Sequence, residues 1–286
     1  MKKFNLFLAV ILLLTACNKK QPLIPVRVHI NDFSFTQEEI GTKNVTPVSE
    51  YESVKAITLA FYTANGSEQY KVTQLKDDAA TFGSTFGEFD LTLPMGSYTM
   101  VVVAHKTQDD SPFVLTSPTQ AAYTGAHMLE TFAMTQDVNV ENTTALMLNA
   151  TLNRVVSMVK VVSTDGRTAN ATNVRVTMSA GSMSFNPTTG LATDNNGFSN
   201  TVNISANVGA ASTSGSYIFL YTDEQTMDIT IDVLNANGDI ISHKVVNNVP
   251  FKRNRKTVLT GSLYNASSTS TFSVETTWLT DLDMNF

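Results

Sequence analysis

Pro94-Met95-Gly96-Ser97-Tyr98-Thr99-Met100-Val101-Val102-Val103-Ala104 is the stretch from which the fold is read. A proline-glycine turn opens into a run that is nearly all apolar and carries three consecutive valines. β-Branched side chains fit the pleated surface of a sheet, and a short continuous apolar run bounded by turn residues predicts a central strand. The segments around it alternate instead. Val26-Arg27-Val28-His29-Ile30 has period two, as does the aromatic pair Phe33 and Phe35, which predicts a half-buried first strand. Ala56 to Thr63 and Tyr70 to Leu75 flank Asn65-Gly66 and predict a hairpin.

Working outward, Gln37 to Glu52 loses periodicity and is expected to be a long loop. Phe82 to Leu93 is expected to hold a strand in its second half, and Pro94-Met95-Gly96-Ser97 to turn it back into the next run. Thr107 to Gly125, with Asp109-Asp110-Ser111-Pro112 and Ser117-Pro118, predicts an exposed crossing between sheets. Leu129 to Val140 is strand-like, and a first unit is expected to end around Asn149 to Asn153. A second set follows: Leu152 to Val162, Val174 to Met178, Thr201 to Val208, Tyr217 to Tyr221, Met227 to Leu234, Ile240 to Val246 and Thr257 to Tyr264. Gly209 to Ser216 reads as a small-residue loop, and Asn265 to Thr271 as a linker. No amphipathic helix of three turns is found. Many short strands with frequent turn signals predict an all-β chain of two consecutive β-sandwiches, residues 26–150 and 151–286.

Composition agrees with that class. The 286 residues are 42% hydrophobic and 15% charged, enough to bury sizeable cores, with sixteen Phe and eight Tyr. The formal charge of −6 becomes −8 once Lys2 and Lys3 are removed with the leader described below, and it argues against nucleic acid as a partner. Lys252-Arg253-Asn254-Arg255-Lys256 sits between apolar runs and predicts a turn joining strands.

The N-terminus reads as an address. Lys2 and Lys3 precede an apolar run from Leu6 to Leu14, then Thr15-Ala16 and Cys17, the single cysteine. A charged segment, a short hydrophobic segment and small residues at a processing point make a secretory signal, too short for a permanent span. Leu14-Thr15-Ala16-Cys17 resembles the lipobox of bacterial lipoproteins, which implies a signal peptide over residues 1–16, a lipidated Cys17 and a tether to Pro25. One cysteine leaves no intramolecular disulfide.

Catalytic chemistry is not legible. His29, His105, His127 and His243 are far apart, and none has a second histidine at helical ligand spacing. Asp77-Asp78, Asp109-Asp110 and Asp281-Asp283 read as solvated pairs. Asp194-Asn195-Asn196-Gly197 resembles the start of a calcium loop, but Ser205 stands where its last ligand, a glutamate, belongs. There is no nucleophile elbow and no phosphate-binding glycine loop. The chain is expected to be neither an enzyme nor a cofactor carrier.

Several stretches together resemble the fimbrillin and fimbrial-anchor lipoproteins of Bacteroidales: the lipobox, Leu93 to Val102, Leu152-Asn153-Arg154-Val155-Val156, and Val249 to Gly261 followed by Trp278. The resemblance implies transthyretin-like, Greek-key sandwiches, an outer-membrane or cell-surface location, and assembly with other fimbrial subunits by strand exchange, the assembled fimbria meeting host or bacterial surface ligands. Two roles follow. In one, Cys17 and the first strand are retained and the protein anchors a fimbria. In the other, a protease accepting Lys43 releases a shaft or tip subunit; no arginine lies between Arg27 and Arg154 to serve an arginine-specific one. Leu282, Met284 and Phe286 alternate with polar residues, as a donor strand or an ordinary final strand would. A rival reading is a glycan-binding surface lipoprotein using Tyr62, Tyr70, Tyr123 or Trp278.

Overall fold

The computed structural model describes residues 21–37, 42–48, 50–78, 85–142, 144–265 and 271–278. Their regular structure is almost entirely strand, with one 3-10 turn at Lys76–Asp78 and no α-helix among the described residues. The first strands are β1 (Leu23–Gln37), β2 (Thr42–Pro47), β3 (Ala56–Thr63), β4 (Glu68–Leu75), β5 (Glu88–Pro94) and β6 (Gly96–His105). The hairpin β7 (Phe113–Ser117) and β8 (Gln120–Tyr123) leads to β9 (Thr131–Val140) and β10 (Leu146–Arg154).

β1 to β6, β9 and β10 form one eight-stranded sheet, ordered β2-β1-β10-β9-β6-β3-β4, with β5 alongside β1. β9 and β10 pair over only Ala133↔Asn153 and Phe132↔Arg154. At that short corner the sheet folds over, so that β1, β5 and β10 face β3, β6 and β9 across a shared core. Val26, Val28, Leu59, Phe61, Val102 and Leu152 meet there, each at most 1% exposed.

Next come β11 (Ser157–Ser163), β12 (Asn173–Met178), β13 (Ser184–Asn186), β14 (Leu191–Ala192), β15 (Phe198–Asn203) and β16 (Thr213–Ile218). The last are β17 (Glu224–Leu234), β18 (Ile240–Lys252), β19 (Arg255–Gly261) and β20 (Ser273–Trp278). Two four-stranded sheets, β16-β11-β19-β20 and β15-β12-β17-β18, enclose a second core around Val161, Val176, Ile231 and Leu259.

The third four-stranded sheet, β14-β13-β8-β7, lies between them and explains the apolar run that opened the reading. Along β6, Met100, Val102 and Ala104 enter the first core, while Val101 and Val103 point the other way into a third core with Leu115, Tyr123, Phe185 and Phe219. Successive side chains alternate between faces, so an unbroken apolar strand requires cover on both. Phe185 stacks on Phe219 at 4.3 Å in this layer.

Four sequence expectations are corrected. Thr107 to Gly125 is not an exposed crossing: it contains β7 and β8, and β8 pairs with β13. Its apolar residues are few, and the partners that bury Leu115 and Tyr123 lie far away in sequence. The loop expected over Gln37 to Glu52 contains β2, which pairs with β1 through polar residues that carry no alternation. Gly209 to Ser216 contains the start of β16; its serines are buried through ladder pairing with β11. The turn at Pro94 to Ser97 does not make a hairpin, because β5 pairs with β1 and β6 with β3 and β9. β10 continues to Arg154, and the β8 to β13 ladder joins residues on either side of position 150.

Candidate functional site

β1 is the element with the most distinctive environment. It runs parallel to β10 along one side and antiparallel to β5 and then β2 along the other. Ile24, Val26, Val28 and Ile30 point inward, none more than 4% exposed. A register shift between Ile30 and Asp32 then turns Phe33, rather than Asp32, into the core. Burying five such side chains is worth on the order of 10 kcal/mol gross, an upper estimate because unfolded chains already hide some apolar surface. The outward face is polar: Arg27 Nε lies 2.6 Å from Asp90 Oδ1 and His29 Nδ1 3.4 Å from Glu88 Oε1. β1 therefore fills a slot lined by Phe89, Leu91 and Leu93 of β5 and by Leu148, Ala150 and Leu152 of β10. Without β1, the facing edges of β5 and β10 would present unpaired N–H and C=O groups beside an open apolar groove.

At the Phe33 end the slot is closed by a buried polar network. Tyr51 packs against Phe33 and Phe132, with ring centroids 5.3 Å away in each case. Its hydroxyl donates to Glu130 Oε1 at 2.7 Å and accepts from Arg154 Nη2 at 3.0 Å. Ser53 Oγ donates to Glu130 Oε2 at 2.6 Å, and Arg154 Nη1 donates to Asn254 Oδ1 at 3.3 Å. The Arg154 guanidinium also lies over the Phe132 ring, 5.3 Å from its centroid. Burial first, and the Glu130 charge second, push the Tyr51 phenol far above its ordinary range. Burial opposes the Arg154 charge, but Glu130 and Tyr51 hold it more firmly protonated than usual.

Of the residues singled out from sequence, Cys17 and the row Leu282, Met284 and Phe286 lie outside the described residues. Lys43 stands in β2, opposite Thr36 of β1. Tyr62 and Tyr123 are not available as sugar platforms, being 0% and 3% exposed in the third core; Tyr70 is half-buried against the first core. Trp278 ends β20. The histidines are kept apart by the strands that carry them. His105 packs against Phe113 and Tyr123, His127 contacts Asn200 and Asp110, and His243 lies 2.6 Å from Asp232, which also pairs with Arg175. No group of three metal-ligating side chains occurs among the described residues. Asp194 accepts hydrogen bonds from Ser182 and Ser184, a turn-closing role. Sequence reading had noted Arg154 but missed Tyr51 and Glu130. A tyrosine in an aperiodic stretch and one acid before a strand give no sign that they meet.

Among the described residues, no helix is long and apolar enough to cross a membrane. A family model described as a family of unknown function, DUF6562, matches residues 31–285. No curated protein matches the chain. Among solved structures, an adhesin candidate from Bacteroides ovatus has 12% identity, a TM-score of 0.53, and coverage of 92% of this chain and 97% of its own. A candidate polysaccharide-binding protein from Bacteroides thetaiotaomicron has 10% identity, a TM-score of 0.52, and coverage of 91% and 100%. The fimbrial anchor protein Mfa2 from Porphyromonas gingivalis has 13% identity, a TM-score of 0.51, and coverage of 89% and 97%. At these identities the likeness concerns the fold.

Proposed function

The chain belongs to the family of unknown function DUF6562, and from that premise we propose that it is a cell-surface fimbrial or adhesin-type subunit joined to its neighbours by strand exchange. The observation that carries this reading is β1 itself: a terminal strand seated in a slot whose apolar lining and paired edges would serve an equivalent strand from another chain. The similarity in fold to an anchor and an adhesin candidate, over nine-tenths or so of this chain, is in keeping with it. We read the two facing-sheet cores as two transthyretin-like sandwiches, 26–150 and 151–286, and the chain as a binding and structural protein rather than an enzyme.

Within that class we favour the membrane-anchored role. Lys43 is held in the β1 to β2 ladder, so a protease must first open that hairpin before it can cut there. With β1 kept, a multiply acylated Cys17 would give durable attachment to the outer membrane. Mass spectrometry of the protein from cell envelopes tests this: a chain beginning at acylated Cys17 supports the anchor, and one beginning at Asn44 without lipid overturns it. Strand exchange is tested separately by inserting a protease site at residues 38–41, cutting, and adding a labelled peptide of Leu23–Gln37. Incorporation of the label is expected; exclusion of it under conditions where the cut chain stays folded counts against exchange.

A further inference from the structure

We propose that the cleft between β15 and β16, at the rim of the second core, binds a neutral saccharide unit through hydroxyl and amide groups. The inference is independent of strand exchange, since β1 takes no part in it. β15 and β16 each stand at the end of their four-stranded sheets, so the second core meets its rim there. Residues directly opposite one another in an antiparallel pair share a face. Asn200 of β15 lies opposite Val176, and Ser214 and Ser216 of β16 lie opposite Val161 and Val159. All three valines belong to the second core, so Asn200, Ser214 and Ser216 are turned to the same side. They are 4%, 2% and 2% exposed. Their neighbours along those faces, Phe198, Val202 and Ile218, are the apolar residues that an inner face ordinarily carries.

A polar row set into an apolar face is costly unless something pairs with it. The buried Ser216 hydroxyl has no hydrogen-bond partner among the described residues, a state that a ligand in the cleft would relieve. Asn200 is held in place instead: its Oδ1 meets His127 Nδ1, and its Nδ2 donates to the Gly215 carbonyl at a long 3.5 Å. His127 is fixed in turn by Asp110, 3.3 Å from its Nε2, and by its main-chain N–H, which donates to Ser111 Oγ at 2.8 Å. His127, Asn200, Ser214 and Ser216 line a cleft of about 740 Å³. One water, whose share of liquid volume is about 30 Å³, would satisfy Ser216 without filling that space, whereas a sugar unit is of the size such sites accept. Serine hydroxyls donate and accept as sugar hydroxyls do, and Gln108, Thr201 and Thr213 bring more groups of this kind to the lining. Met128, Leu129 and Val202 supply apolar surface for the C–H face of the ring. An added strand with apolar side chains is a poorer occupant, because those side chains cannot pair with Ser216.

The test is an NMR titration of the full chain with glucose, galactose, mannose and N-acetylglucosamine, alongside glycerol and glucuronate. Saturable binding of at least one of the four neutral sugars is expected, at least about tenfold tighter than glycerol and unchanged by added salt. Ser216→Ala should weaken it about tenfold while leaving the urea midpoint unchanged or higher, because the variant removes a hydroxyl that the empty protein leaves unpaired. Ser214→Val, whose β-branched side chain suits a strand and narrows the cleft, should abolish binding. The proposal is overturned if none of the four sugars saturates, if glycerol binds as tightly, if glucuronate binds more tightly and in a salt-sensitive way, or if folded Ser216→Ala keeps wild-type affinity.

Discussion

Glu130 and Arg154 meet at 2.7 Å with side chains 1% and 0% exposed. Glu130 immediately precedes β9 and Arg154 ends β10, so the pair stands at the corner where the first sheet folds over. Two desolvated charges are tolerable because each is also hydrogen-bonded, by Tyr51, Ser53 and Asn254. Glu130→Gln, which strands a buried guanidinium, should cost about 3–5 kcal/mol in urea unfolding, and Tyr51→Phe only about 1–2 kcal/mol. Replacing both charged residues with apolar ones of similar volume should recover much of the loss, because the remaining charge is removed too.

His105 is 6% exposed and packs against Phe113 and Tyr123 at 4.5 and 6.1 Å. Burial lowers its pKa to about 4, against a smaller opposing effect of its hydrogen bond to the Lys106 carbonyl. The unfolded imidazole takes up a proton below about pH 6.5, whereas the folded one does so only near pH 4. Between these values unfolding binds a proton, so stability falls as pH falls, by up to about 3 kcal/mol across the window. His105→Gln should flatten that slope in denaturant melts between pH 4 and 6.5.

Asp165 organises the end of β19. It accepts from the Ser262 hydroxyl at 2.8 Å and from the N–H groups of Leu263, Tyr264 and Asn265 at 2.7 to 2.9 Å. Desolvation alone would raise its pKa, but these bonds together hold it below the ordinary carboxylate range. Its contribution is therefore present at neutral pH and lost as pH falls through the depressed folded value. Asp165→Asn should cost about 1–3 kcal/mol at pH 7 and weaken the acid dependence of stability below about pH 4.

Two faces of β1 should respond differently. Phe33, wholly buried against Tyr51 and Phe132, should cost about 3–5 kcal/mol when changed to Ala. Arg27, exposed in its pair with Asp90, should cost at most about 1 kcal/mol. Thermal melts of the two variants compare them directly.

Alternation was a good guide where one face meets a core and the other meets water, as along Val26 to Ile30, and β3 has the bounds the sequence suggested. It failed for β2, whose polar residues gain order from main-chain pairing with β1, and for β7 and β8, whose partners include β13 some sixty residues on. The slot for β1 was half legible: its inward row could be read, but the parallel pairing with β10 could not. The basic run from Lys252 to Arg255 was legible as a turn, and it does join β18 to β19.

The sequence by itself determined an all-strand chain, because period-two patterns and turn residues are local properties of the backbone. It also determined that Pro94 to Ala104 leads into a central strand, because only burial on both faces accommodates so continuous an apolar run. Tertiary structure alone decided what supplies the second cover, where β1 is seated, and how Tyr51, Glu130 and Arg154 converge. Those are pairings across long stretches of chain, settled by which edges and faces remain to be satisfied once the local strands have formed.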